Sequence, residues 1–148
     1  MHAPEVRLRP VAEADLEALY EHQADPAWGE MVGMPARGHD EFVEHMRTVL
    51  ANPANLTRAI VADAAVVGSI ATFPVGDARE VGYSLGRAYW GRGIATEALR
   101  LMLIEDTARP LEAGTAPGNP ASRRVLEKLG FRESHVDEAD GFVIHVLD

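Results

Sequence analysis

Residues 80–99 constrain this chain more than any other stretch, because a strand pattern runs through a paired-glycine turn straight into a helix. Val81, Tyr83 and Leu85 alternate with Glu80, Gly82 and Ser84, which is the period of a half-buried strand. From Ile94 onward, Ala95, Glu97, Ala98, Leu99, Arg100, Leu101 and Met102 are good helix formers. Between them lies Trp90-Gly91-Arg92-Gly93. Two glycines one residue apart let the backbone bend sharply and present its N–H groups. Together with the unpaired N–H groups of the first helical turn, these donors suit an anion such as a phosphate. Arg92 adds a full positive charge. A plain turn is the simpler reading of Gly-x-Gly alone; the strand before it and the helix after it favour a phosphorylated cofactor. No Gly-Lys-Ser/Thr follows, so this is not a P-loop. No third glycine follows Glu97 and Ala98, so it is not a dinucleotide fingerprint either.

A chain of 148 residues is expected to form one domain, 1–148, with a sizeable core. It has no cysteine, which excludes disulfides, thiolate metal sites and a cysteine nucleophile; no metal is expected. The start does not read as a signal peptide and no apolar run spans a bilayer, so a cytoplasmic location without a membrane partner is expected. The net charge of −9 disfavours nucleic acid. Positive charge nevertheless gathers in two places. Arg79, Arg87, Arg92 and Arg100 outnumber Glu80 and Glu97, and Arg123, Arg124, Lys128 and Arg132 outnumber Glu127. The remainder is strongly acidic, which fits either a solvated surface or a cationic acceptor.

In order, Glu5–Arg9 reads as a strand and Ala12 to about His22 as a helix ended by Ala24-Asp25-Pro26. Residues 27–38 read as a loop. A second helix opens at Asp40 and closes at Asn52-Pro53. Arg58–Ala62 and Val66–Phe73 read as a hairpin around Asp63-Ala64-Ala65, with a turn over Pro74–Ala78 before the central strand. The helix after the glycines is apolar on most sides and is expected to be buried, with Pro110 at its end. Leu111–Thr115 is a strand. Asn119 and Pro120 open another helix, ended by Gly130. Phe131–Val136 and Phe142–Leu147 form a closing hairpin. The order is that of an α/β protein built on a mixed sheet.

The stretch around Trp90–Ala95 resembles the acetyl-CoA-binding motif of the GNAT family of N-acetyltransferases. Tyr89-Trp90-Gly91-Arg92-Gly93-Ile94-Ala95-Thr96-Glu97-Ala98-Leu99, with a second block from Asn119 to Phe131, resembles the branch that acetylates the N-termini of ribosomal proteins. Trp90 stands where the wider family prefers Arg or Gln. The resemblance implies the GNAT fold: a mixed, mostly antiparallel sheet flanked by helices in three layers, with the central strand and the Leu111–Thr115 strand splayed apart. It implies an acetyl-CoA-dependent N-acetyltransferase acting by direct transfer on a small-molecule or peptide amine, as a monomer or homodimer. The alternative is a non-catalytic acyl-CoA-binding module.

On that resemblance, backbone groups of Gly91, Arg92, Gly93, Ile94, Ala95 and Thr96, beside Trp90, would hold the pyrophosphate. Tyr83, Ser84 and Leu85 would pair with pantetheine, and Asn119 would fix the arm, cap its helix, or both. Glu80 is the candidate base, against an exposed edge-strand glutamate; Asp77, His39 and His22 are weaker alternatives. Many family members place a tyrosine acid on the helix after the asparagine, where this chain has Leu126. Ser122 could bond the leaving thiolate or satisfy its own helix turn. Arg123, Arg124 and Lys128 could meet phosphates or form a solvated face. Trp28, Met31, Met34 and His39 could line the acceptor cleft or only pack on the first helices. The link from Thr107 to Leu111 looks short for the family, which puts the length of the following strand in question.

Overall fold

The computed structural model describes residues 4–148. Seven strands form one sheet: β1 (Val6–Pro10), β2 (Leu56–Ala62), β3 (Ala65–Val75), β4 (Ala78–Leu85), β5 (Leu111–Thr115), β6 (Arg132–Val136) and β7 (Val143–Leu147). Their order across the sheet is β1-β2-β3-β4-β5-β7-β6. Every neighbouring pair is antiparallel except β4 and β5. Those two run parallel and are joined at one register pair, Glu80 with Glu112. No further register pair joins them among the described residues, so the β4–β5 ladder ends there. β5 keeps its full expected span despite the short link before it, because all five of its residues pair with β7.

Five helices cover the sheet: α1 (Leu16–Ala24), α2 (Pro26–Val32), α3 (His39–Ala51), α4 (Ile94–Glu105) and α5 (Pro120–Lys128). Successive residues Ala59, Ile60, Val61 and Ala62 of β2 are all buried, so both faces of the sheet are covered. Ile60 and Ala62 join the cluster built around Ile94, Ala98, Leu99 and Met102, the inner stripe of α4. That stripe is narrower than the composition of α4 suggests, since Ile104 is 64% exposed. On α5, Leu126 is buried in the same cluster.

The expected loop at 27–38 is corrected: its first part is the helix α2. Asp25 ends α1 and caps α2, its carboxylate accepting from the Ala27 N–H at 2.9 Å, with Pro26 in the first turn. Gly33 closes the helix in the left-handed conformation at φ +74°. Gly29 in the middle dilutes the helical pattern and hides it from a periodicity reading. Two turns are tighter than expected. Asp63 and Ala64, both at positive φ, connect β2 and β3 directly, and Gly76-Asp77 alone separates β3 from β4. Gly38, rather than Asp40, stands at the start of α3.

Candidate functional site

Past the single β4–β5 register pair, at the C-terminal end of β4, lies a cavity of about 300 Å³. Its walls come from three places: Tyr83, Ser84 and Leu85 at the end of β4; Trp90 through Thr96 at the turn, save Arg92; and Asn119, Ser122 and Arg124 on α5. Trp28 and Met31 of α2 close it from the side. Gly91 and Gly93 sit at φ +73° and +78°, and a Cβ on either would meet no protein atom within 4 Å. Both conditions favour glycine: the backbone is left-handed, and the space in front of it belongs to the cavity. Gly93 opens α4 with no side-chain cap, so no capping side chain occupies the first-turn N–H groups of that helix. Arg124 and Lys128 add two cations to the wall. A phosphorylated ligand with an extended arm fits this set of donors.

The polar groups of the wall divide into committed and uncommitted ones. The Trp90 indole N–H donates to the Leu85 carbonyl at 3.0 Å, which fixes the turn against β4. Asn119 caps α5 by accepting from the Ser122 N–H at 3.1 Å, and its amide also donates to the Met31 carbonyl at 3.0 Å. It therefore ties α2 to α5 across the cavity. By contrast, the indole N–H of Trp28 is shielded from solvent and has no acceptor among the described residues. The Tyr83 and Ser122 hydroxyls lie 2.6 Å apart and bond to each other.

Glu80 lies outside the cavity lining, at the point where β4 and β5 part. Its carboxyl is held above the usual carboxylate range, first by burial and then by the charges of Glu112, Asp140 and Asp137. Glu80 shares a strand face with Gly82 and Ser84, opposite Val81, Tyr83 and Leu85. At the end of β4 both faces contribute to the lining, Ser84 from the face of Glu80 and Tyr83 and Leu85 from the other.

Several other residues singled out from the sequence lie outside this lining. Met34 is exposed and does not line the cavity. His39 is bonded to Glu17 at 2.8 Å and Asp40 at 3.1 Å, with its ring edge-on to Tyr20, so it serves the contact between α1 and α3. Arg92 is not in the lining, and its guanidinium lies 4.0 Å from Asp63. His22 packs under Gly86 and against Tyr89, and burial pushes its pKa down. Of the α5 cations, Arg124 and Lys128 line the cavity and Arg123 does not. Val32, Tyr89, Ala121 and Val125 complete the wall without having been assigned a site role from the sequence; the aromatic pair before the glycines was the available signal for Tyr89.

Comparisons with known proteins bear on the family and the fold. The family described as "Acetyltransferase (GNAT) domain" matches residues 5–132. The probable N-acetyltransferase YjcK of Bacillus subtilis is 43% identical over 60 residues, covering 38% of this chain and 33% of that protein. An uncharacterized N-acetyltransferase p20 of Bacillus licheniformis is 32% identical over 75 residues, 45% of this chain and 42% of its own length. The matched stretches thus span well under half of these relatives. Among solved structures, Mycobacterium smegmatis RimJ in complex with CoA-disulfide has a TM-score of 0.75 at 26% identity, over 96% of this chain and 81% of that one. The aminoglycoside acetyltransferase AAC(6')-Ib in complex with coenzyme A shares the fold with a TM-score of 0.81 at 22% identity, over 96% and 93% of the two chains.

Proposed function

The chain belongs to the GNAT acetyltransferase family, and from that premise we propose that it moves an acetyl group from acetyl-CoA to a primary amine by direct transfer. The observation that carries this reading is the coincidence of the β4–β5 gap with the uncapped, glycine-led start of α4. The N–H groups of Gly91–Thr96, with Arg124 and Lys128, bind the diphosphate. The edge of β4 at Tyr83 and Ser84, which has no register partner on β5, orients the pantetheine arm beside Leu85, whose carbonyl is held by Trp90. Acetyl-CoA supplies the activated thioester; the chain supplies position and charge.

Glu80 serves as general base. A carboxylate is a poor proton acceptor at neutral pH, and the burial and acidic neighbours that lift its pKa make it a better one. Glu112, Asp137 and Asp140 also give the approach to Glu80 a negative field, which favours a cationic acceptor over a neutral or anionic one. A protein N-terminus, as in the ribosomal-protein branch, and a small polyamine-like or aminoglycoside-like amine both satisfy that field.

The test is thiol release from acetyl-CoA in the presence of a panel of amines and N-terminal peptides, beside calorimetry with CoA alone. Amine-dependent thiol release supports the transferase. Tight CoA binding without release under any amine replaces it with the acyl-CoA-binding module. Absence of CoA binding rejects both.

A further inference from the structure

The helix position at which many family members carry a tyrosine acid is Leu126 here, and Leu126 is 1% exposed, packed in the core. It offers the leaving sulfur nothing. The cavity nevertheless contains a phenol, brought in from a different element. Tyr83 stands on β4, thirty-nine residues from Ser122 on α5, and their hydroxyl oxygens lie 2.6 Å apart in the cavity wall.

Hydrogen counting makes this pair informative. Two hydroxyls carry two hydrogens, and one bond between them uses one. Neither oxygen has another side-chain or backbone partner among the described residues. One hydrogen therefore remains without a protein acceptor, at the surface of the cavity. The phenol is the stronger acid of the two and so the better donor, which sets the order: Tyr83 donates to Ser122, and the Ser122 hydrogen is the free one. A hydroxyl that accepts one bond donates a stronger second one.

We propose that Tyr83 and Ser122 act as a single hydrogen-bond donor to the sulfur of the acyl donor, with Ser122 touching the sulfur and Tyr83 polarising and positioning Ser122. This rests on the acetyl-transfer reading above. In the step, the amine nitrogen bonds the carbonyl carbon, the C–S bond breaks, and its electron pair leaves on sulfur. The amine proton passes to Glu80. The pair holds a hydrogen bond on the thiolate rather than surrendering a proton. Burial pushes the Tyr83 phenol above its ordinary value near 10, the Ser122 bond only partly offsetting it. Tyr83 accordingly stays neutral and donating through the working pH range, and the thiolate takes its proton from solvent on release.

The experiment reads the thiol of bound CoA directly, by its ultraviolet thiolate absorbance as a function of pH, in the native protein, Ser122→Ala, Tyr83→Phe, the double variant and Ser122→Thr. The native protein is expected to lower the thiol pKa relative to free CoA. Ser122→Ala returns it toward the free value, Tyr83→Phe returns it part of the way, and Ser122→Thr retains the shift. The double variant matches Ser122→Ala, because Tyr83 reaches the sulfur only through Ser122. Turnover with the responsive amine falls about 10²-fold in Ser122→Ala and about tenfold in Tyr83→Phe, with CoA affinity at low pH within about twofold. Bound-thiol titration that is the same in all five proteins overturns the pairing while leaving the transferase intact. Failure of the native protein to bind CoA overturns both.

Discussion

Gly68 ties the stability of the sheet to the shape of the cavity, and its replacement by alanine tests that tie. Gly68 on β3 pairs with Leu85 on β4, and a Cβ there would sit 2.1 Å from the Ser84 carbonyl oxygen and 2.9 Å from Leu85 Cδ2. Carbon–oxygen contacts of this kind need roughly 1 Å more. The obstacle is backbone, so no rotamer change relieves it; the end of β4 must move. Overpacking of this severity costs about 3 kcal/mol, which for a domain of this size lowers Tm by roughly 6–12 °C. Ser84 and Leu85 line the cavity, so the displacement also reaches the ligand. Gly68→Ala is therefore expected to weaken CoA binding in calorimetry at a temperature where the variant is still folded. Gly114→Ala on β5 is the control, since its Cβ would lie 3.5 Å from Phe142 Cδ2, an ordinary contact. A Gly68→Ala protein with native Tm and native CoA affinity refutes the coupling.

Four other perturbations separate the contributions to the site and the fold. Gly93→Ala is expected to cost about 1–2 kcal/mol for a left-handed alanine and to reduce CoA affinity by at least roughly tenfold, as its methyl group enters the cavity; calorimetry and thermal unfolding read the two effects. Glu80→Gln is expected to slow turnover about 10²–10⁴-fold. Glu112→Gln should keep activity but move the acid limb of the kcat/KM profile to lower pH, because Glu80 then loses a neighbouring negative charge and ionises more easily. Asp15 is held below the usual carboxylate range by the paired bonds from Arg9 at 2.7 and 2.9 Å, against the opposing effect of burial, with help from the Ala12 N–H. Its contribution to stability is present above the unfolded carboxylate value near 4 and is lost as pH falls through the lower folded value. The Tm gap between native protein and Asp15→Asn should therefore be wide near neutral pH and shrink on acidification below about 4.

The features legible in the sequence are those with a local cause. The β4 alternation, the glycine turn and the Asn119-Pro120 helix start each rest on neighbours within a few residues, and each appears where the pattern puts it. Helix α2 has equally local signals in Asp25, Pro26 and Gly33, but Asp25-Pro26 also marks the end of α1 and so reads as a single stop. What the sequence could not express is contact across distance. Asn119 reaches Met31 over eighty-eight residues, and Tyr83 reaches Ser122 over thirty-nine. Side-chain type alone gave no reason to take Tyr83 as more than a core-facing aromatic, nor to send His39 to Glu17 and Asp40 and away from the cavity.

Topology explains why the gap and the anion site fall together. β4 and β5 are the parallel pair of the sheet, so the chain between them must cross over, and it does so as α4. A crossover helix begins where the first strand ends and delivers the chain back to the opposite end of the sheet. The start of α4 therefore lies at the C-terminal end of β4, and α5 starts just beyond the C-terminal end of β5. The two strands meet at Glu80 and Glu112, early in each, and part toward those same C-terminal ends. Divergence at that end opens backbone edges, while two helix starts converge beside it: one uncapped and led by glycine, the other capped by Asn119. The uncapped start can take a diphosphate, and the capped one presents Ser122 at a fixed angle to Tyr83. A longer β4–β5 ladder would close the gap while leaving both helix starts in place, so the proposed thioester site depends on the short ladder more than on any single side chain.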